Sequence, residues 1–350
     1  MAKLLIAPHS VMRPYRPRAQ NQASSWQEEL ASSFQDVEQL FEYLGLDTRL
    51  LPPTQSASNP FPFKVTRSFA EKMEHGNIND PLLKQILPST AELTNSPDFI
   101  DNPVGDLEAI ATPGLLHKYQ NRVLLITTGT CAVNCRYCFR RNYPYSGNQL
   151  GISGRAEALR YIESRVEIKE VILSGGDPLV LVNSSLEELI DAIAAIQHVK
   201  RLRIHTRIPS VLPARIDPDL IGILKITRLK SVIVTHINHP REIDARVKIA
   251  VDSLMRAGVR VLNQAVLLKG INDDPKTLTD LLETAFDAGI HPYYLHMLDR
   301  ATGTAHFEVA QDYSLYLEET LRNTLPGYLL PRFVREIAGL SYKVPIETLG

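Results

Sequence analysis

The chain has three cysteines, and Cys131, Cys135 and Cys138 all fall within eight consecutive positions. Thiolates are soft ligands that suit zinc or iron–sulfur clusters, so three of them in one short stretch point to metal chemistry. Their odd number and close spacing argue against a disulfide framework. Structural zinc asks for four ligands. No fourth cysteine exists, and His205, His236, His239 and His296, at or near the ends of expected strands, are the imidazoles that could complete such a set. A 4Fe–4S cubane held by three thiolates instead leaves one iron open to a substrate or cofactor. The bland alternative is three small buried hydrophobes, which polar Asn134 and Arg136 between them disfavour. A second run, Ser174, Gly175, Gly176 and Asp177, ends an expected strand with glycines that let the backbone come close to a ligand. By itself it is an ordinary turn.

Such groups need a scaffold. Apolar runs at Arg122–Thr128, Lys169–Ser174, Arg201–Thr206, Ser231–Ile237, Val259–Leu268 and Pro292–Met297 predict six strands. They are interleaved with helical patterns at Arg155–Arg165, Ser185–Gln197, Pro218–Leu224, Arg241–Ala257 and Pro275–Asp287, and followed by one at Asp312–Asn323. A strand start about every 30 residues is the βα period. A doubly wound sheet and a partial barrel both fit, and both place chemistry at the C-terminal ends of the strands, where the cysteines and the Gly-Gly run lie. Upstream, the first 25 residues read as a loose arm with Arg13, Arg16 and Arg18 among prolines. From Trp26 the residues Leu30, Phe34, Val37, Phe41 and Leu44 predict one amphipathic helix, with a Ser25/Glu28 capping box and Gly45 as its stop. Leu51–Pro62 reads as a linker and Thr66–His75 as a further helix.

Composition sets the outer limits. The 350 residues carry a net charge of −1 with 44% hydrophobic and 22% charged side chains, which excludes disorder and collagen. No apolar run approaches the roughly 20 residues of a membrane span, and Leu4–Ala7 is too short for a signal-peptide core, so a soluble cytoplasmic protein is expected. Near-neutral charge gives no support for a nucleic-acid partner.

The spacing Cys131-x3-Cys135-x-Tyr137-Cys138 resembles the signature of the radical S-adenosylmethionine superfamily. The resemblance implies a partial (β/α)6 TIM-like barrel behind an N-terminal helical region, with the three thiolates holding a 4Fe–4S cluster that chelates S-adenosylmethionine. Tyr137 would lie near the adenine, and Ser174–Asp177 and Gln264 would contact the same cofactor. From about Phe61 onward the chain is similar to lysine 2,3-aminomutases, on the stretches Arg122–Thr127, Cys138–Arg141, Ser174–Leu179, Thr235–Pro240, Asn263–Asp273, Pro292–Asp299 and Ser341–Pro345. That likeness implies a second cofactor, pyridoxal 5'-phosphate, held as a Schiff base by Lys343 with Arg122 at its phosphate. Arg140 matches the residue that grips the substrate carboxylate. Asp299 matches one acid facing the far ammonium of L-lysine, and Glu336 stands where the free-lysine enzymes carry a second, aspartate. The implied units are an N-terminal region 1–115, a core barrel 116–300 and a C-terminal segment 301–350 with the pyridoxal phosphate lysine.

Departures from the pattern narrow the subgroup. Free-lysine aminomutases hold a zinc with four cysteines; Asp274 occupies the first of those positions, so no zinc is expected. Phe61–Val65, Asn79–Leu83 and Cys138–Arg141 resemble the branch that makes (R)-β-lysine for a ligase acting on elongation factor P, with a reductant protein feeding the cluster. Moving an amino group between unactivated carbons requires removing a non-acidic hydrogen, which suits a radical. The competing expectations are an aminomutase for another amino acid, which Asp299 and Glu336 disfavour if its side chain is anionic, and a non-enzymatic iron–sulfur redox protein.

Overall fold

A computed structural model describes residues 25–51, 61–94 and 96–349. The expected arm falls outside them except for Ser25, as does most of the expected linker. A sheet of ten strands runs β1 (Ile110–Thr112), β2 (Leu115–Tyr119), β3 (Arg122–Thr128), β4 (Glu170–Gly175), β5 (Arg201–Thr206), β6 (Lys230–Thr235), β7 (Arg260–Val266), β8 (His291–His296), β9 (Arg332–Arg335) and β10 (Val344–Pro345). Spatial order equals sequence order, so the reversal that defines a doubly wound sheet is absent among the described residues. Strands β3 to β9 are parallel neighbours, β1, β2 and β3 pair antiparallel, and β10 returns antiparallel to β9. The fold is a partial barrel left open between β1 and β10. Its parallel part has one strand more than expected: β9 is four residues long with only Phe333 and Val334 apolar, too short for a periodicity to show.

Helices cover the outside of this sheet, numbered after four upstream helices described below: α5 (Ile152–Glu163), α6 (Asn183–Ala195), α8 (Pro218–Ile226), α9 (Ala245–Arg256), α10 (Pro275–Asp287) and α11 (Gln311–Thr324), while the short α7 (Ile208–Val211) is buried just past β5 with Val211 on the inner cavity. Alternation along the strands separates two faces. In β5, Leu202 and Ile204 pack outward into the core, while Arg203 and His205 face inward. Gln264 of β7 and Tyr294 and His296 of β8 repeat the inward pattern. The inner face therefore sets a few polar groups among apolar ones such as Leu124, Ile172 and Val266, as ligand cavities commonly do. Asp274 caps α10 through the Thr277 amide.

Upstream, the single helix expected from Trp26 is two: α1 (Trp26–Ala31) and α2 (Val37–Leu44). Ser32 and Ser33 turn their hydroxyls back onto the Glu29 and Leu30 carbonyls, Phe34 exchanges both backbone bonds with Val65, and Asp36 starts α2 afresh. The capping box at Ser25 and Glu28 and the left-handed Gly45 stop are both present. The next helix is shorter than its pattern, α3 (Arg67–Ala70), and α4 (Pro81–Lys84) follows with Asp80 as its cap. One hydrophobic core joins Leu40, Phe41, Leu82 and Leu83 of this region to Leu202, Val247 and Ile346 of the barrel. Among the described residues no helix is long and apolar enough to cross a membrane.

Candidate active site

Every residue that the resemblance assigns to the chemistry lines a single cavity of about 230 Å³ inside the barrel: the three cysteines, Arg122, Tyr137, Arg140, Ser174 to Asp177, Gln264, Asp299, Glu336 and Lys343. The cysteine loop leaves the end of β3 and is gripped from behind by the N-terminal region. The Asn134 amide donates to the Lys64 carbonyl at 3.0 Å and the Arg136 amide to the Gln85 carbonyl at 2.8 Å. Glu92, almost wholly buried, takes both the Arg136 and Arg141 guanidiniums. From the other side the Gly176 and Asp177 amides donate to the Thr128 and Thr130 carbonyls at 2.7 and 2.9 Å.

This contact explains the two glycines. Gly175 has φ +117°, and a Cβ there would stand 2.5 Å from the Thr128 carbonyl oxygen; a Cβ on Gly176 would press into the Thr130 carbonyl. The close approach they permit is to the cysteine loop itself. Asp177 is likewise absorbed by the fold: its carboxylate accepts from the Thr206 hydroxyl and the Leu179 and Arg207 amides, tying the ends of β4 and β5, while burial pushes its pKa up to about 6.

At the far side a chain of charges crosses the cavity. Arg140 Nε donates to Asp106 at 2.7 Å and its Nη1 to the Ser174 hydroxyl at 3.0 Å. Asp106 also pairs with Lys118 at 2.6 Å, Lys118 with Glu336 at 3.3 Å, and Glu336 with Lys343. Burial opposes the charge on Glu336, yet Lys343 and Lys118 outweigh it and hold its pKa at about 2. Asp299 has the opposite balance. Burial, reinforced by repulsion from Glu336, pushes it up to about 7, and its Oδ1 is shut away without a hydrogen-bond partner.

The residues present fit the groups their pattern implies. Cys138 is pushed up to about 11 by burial and by Cys135, and Cys131 is raised well above the ordinary thiol value by burial and by Cys138, so thiolates here repel one another and want a cationic partner. Among the described residues no three His, Cys, Asp or Glu meet at a single-ion position. A cubane asks something else of its ligands, one thiolate for each iron it uses. Gln264 Oε1 is buried in the cavity without a partner, as are Nε2 of His205 and of His296. Arg122 stacks on the Tyr119 ring at 4.1 Å and pairs with no carboxylate among the described residues, which leaves its fork open to an anion.

Of the candidate fourth ligands, His296 keeps its ring nitrogen Nε2 unpartnered in the cavity, and the others make contacts of their own. His239 accepts the Arg241 amide at the start of a turn, and His236 meets His205 at 3.3 Å, with burial holding His236 down at about 3. Sequence reasoning passed over Asp106, Lys118, Tyr119, Arg207, Asn238, Glu242 and Gln85. The last four surround Tyr137: Asn238 Nδ2 donates to its hydroxyl at 2.7 Å, and Gln85 and Glu242 hold the Arg207 guanidinium at 3.1 and 2.9 Å. Only the position of Arg207 and Asn238 just past strand ends could have flagged them.

Comparison with known proteins places this geometry. Residues 125–282 match the Radical SAM superfamily. A protein named L-lysine 2,3-aminomutase from Escherichia coli (strain K12) is 43% identical over 323 residues, covering 92% of this chain and 94% of that protein. Its namesake from Haemophilus influenzae is 42% identical over 90% of this chain and 93% of its own length, and that of Clostridium subterminale 31% over 92% and 78%. With identity of this order along nearly the whole chain, and the three cysteines inside the matched region, the chain belongs to the lysine 2,3-aminomutase family of radical S-adenosylmethionine proteins.

Proposed function

We propose that the protein is a radical isomerase that converts L-lysine to (R)-β-lysine by moving the amino group from carbon 2 to carbon 3. The observation that carries this reading is the joining, in one cavity, of three thiols with an arginine, two acids and a lysine. The cofactors of such an enzyme are a 4Fe–4S cluster, S-adenosylmethionine and pyridoxal 5'-phosphate. When bound, they supply a carbon radical able to take a non-acidic hydrogen and a conjugated system on the migrating nitrogen.

The chain's own residues bind and orient. Cys131, Cys135 and Cys138 hold the cluster. Tyr137, Ser174, Gly175, Gly176 and Gln264 line the side where S-adenosylmethionine sits, with Asp177 fixing the loop that carries the glycines. Lys343 anchors pyridoxal phosphate through its Nζ, and the unpaired Arg122 fork takes the phosphate. Arg140, held by Asp106, grips the substrate carboxylate. Asp299 takes the far ammonium: its unpartnered Oδ1 is the acceptor a lysine side chain would satisfy, and the arriving cation would restore its charge. Glu336 already serves Lys118 and Lys343 and adds to the negative field there. Gripping both ends of the substrate decides which hydrogen is presented, worth several kcal/mol where the alternative is random attack. The product suits a ligase acting on elongation factor P, the cluster takes electrons from a reductant protein, and the setting is cytoplasmic.

The test is anaerobic. The protein is reconstituted with iron and sulfide, given pyridoxal phosphate, S-adenosylmethionine, reductant and L-lysine, and the products are resolved by chiral chromatography. (R)-β-lysine is expected. A loaded cluster that releases 5'-deoxyadenosine without β-lysine retires the substrate assignment, and a loaded cluster that yields no deoxyadenosine leaves a non-enzymatic redox protein.

A further inference from the structure

We propose that Arg207 tunes the reduction potential of the cluster through a charged hydrogen bond to the Cys135 sulfur, and that Glu242 sets the strength of that effect. The inference rests on the reading of the three thiols as cluster ligands. Arg207 Nη1 donates to Cys135 Sγ at 2.8 Å, a short charge-assisted contact for a sulfur acceptor. The guanidinium is buried, and its other edge is fixed by Glu242 at 2.9 Å and Gln85 at 3.1 Å. Its own backbone amide is locked to Asp177 at 2.8 Å. Glu242 is wholly buried and also accepts from the Asn238 and His239 amides, the Gln85 side chain and the Ser210 hydroxyl. The result is a fixed dipole whose positive end touches one cluster ligand and whose negative end lies one side chain farther away.

The electrostatic consequence follows from the redox step. Reduction takes [4Fe–4S]2+ to [4Fe–4S]+ by one electron from a low-potential one-electron donor, with no bond made and no proton moved. The added charge spreads onto the sulfurs, so a cation donating to one of them stabilises the reduced form and raises the potential. Low local dielectric makes the effect larger than it would be at a surface. Glu242 opposes it from farther away, which makes the pair a two-sided control.

Midpoint potentials of reconstituted protein, without S-adenosylmethionine, are read by EPR-monitored titration with dithionite; iron content and near-410 nm absorbance are measured alongside. Glu242→Gln, which leaves the arginine charge uncompensated, is expected to raise the potential. The Arg207→Gln/Glu242→Gln double variant, which removes the pair as a unit, is expected to lower it by a tenfold change in the reduced-to-oxidised ratio, ~59 mV for one electron. Arg207→Lys keeps the cation and is expected to fall between the double variant and wild type. Loaded variants with unmoved potentials overturn the role of Arg207, and so does an Arg207→Lys protein matching the double variant. If the two Gln variants take up no iron, the comparison of Arg207→Lys with wild type decides: an unmoved potential overturns the proposal, because the lost fork must weaken the bond. A wild-type protein that takes up no iron overturns the cluster reading itself.

Discussion

Asp299 sits in the native protein with its proton held up to about 7, against 3.8 in a free chain. Between those values the folded state binds more protons than the unfolded one, so this residue lowers stability as pH rises through that window. Asp299→Asn removes the penalty. In the cofactor-free protein its melting temperature is expected to gain on wild type from pH 5 to pH 8, and calorimetry across that range checks it. The same group must be ionised to hold an ammonium, so the KM of wild type for lysine is expected to climb as pH falls below 7 while kcat changes less, and Asp299→Asn turns lysine over too slowly to measure. Lys343→Ala is expected to lose the visible absorbance of bound pyridoxal phosphate after gel filtration with its fold intact, because Lys343 is a partly exposed side chain whose ion pair is with Glu336.

Loops and their backing elements decide whether the thiols can be loaded. Glu92, in the turn after α4, meets Arg136 with side-chain exposures of 1% and 0%, and removing one partner of so buried a pair costs about 3–5 kcal/mol. Glu92→Gln is therefore expected to lower the urea midpoint and to cut iron uptake, although Glu92 touches no expected cofactor. Burial opposes its charge, but Arg136 and Arg141 hold the carboxyl below 4.5, so its contribution is present above pH 4.5 and fades as pH falls through the lowered value. Gly176→Ala strikes the same loop from the β4 side. The added methyl must displace the Thr130 backbone, a cost of about 1–3 kcal/mol, and iron content per chain is expected to fall with stability.

Over the whole molecule, one core runs from the N-terminal helices into the barrel, so a chain deleted through residue 94 would bare the side of the buried α7 against which α3 packs. Such a truncation is expected to bind a hydrophobic dye and to aggregate, measured by fluorescence and light scattering. Local chemistry was legible in the sequence wherever it was contiguous. Cys131, Cys135 and Cys138 share one loop, and the strands Arg122–Thr128 and Arg201–Thr206 lie where their apolar runs placed them. Phe34 deceived because it keeps helical spacing while its backbone pairs with Val65, a tertiary bond no local pattern carries. The short β9 and β10 were hidden for a related reason: a strand of two to four residues is stabilised by its neighbour rather than by its own period. The sequence by itself determined the three-thiol loop and the βα rhythm, and its resemblance to the family pointed to Lys343, Asp299 and Glu336. Tertiary structure alone decided that Gly175 and Gly176 serve the cysteine loop, that Lys118 and Lys343 share Glu336, and that Arg207 reaches Cys135 while leaning on Gln85, 122 positions away. Those contacts depend on how the sheet curves and which side chains are thereby enclosed together, and enclosure is a property of the folded chain that residue order does not display.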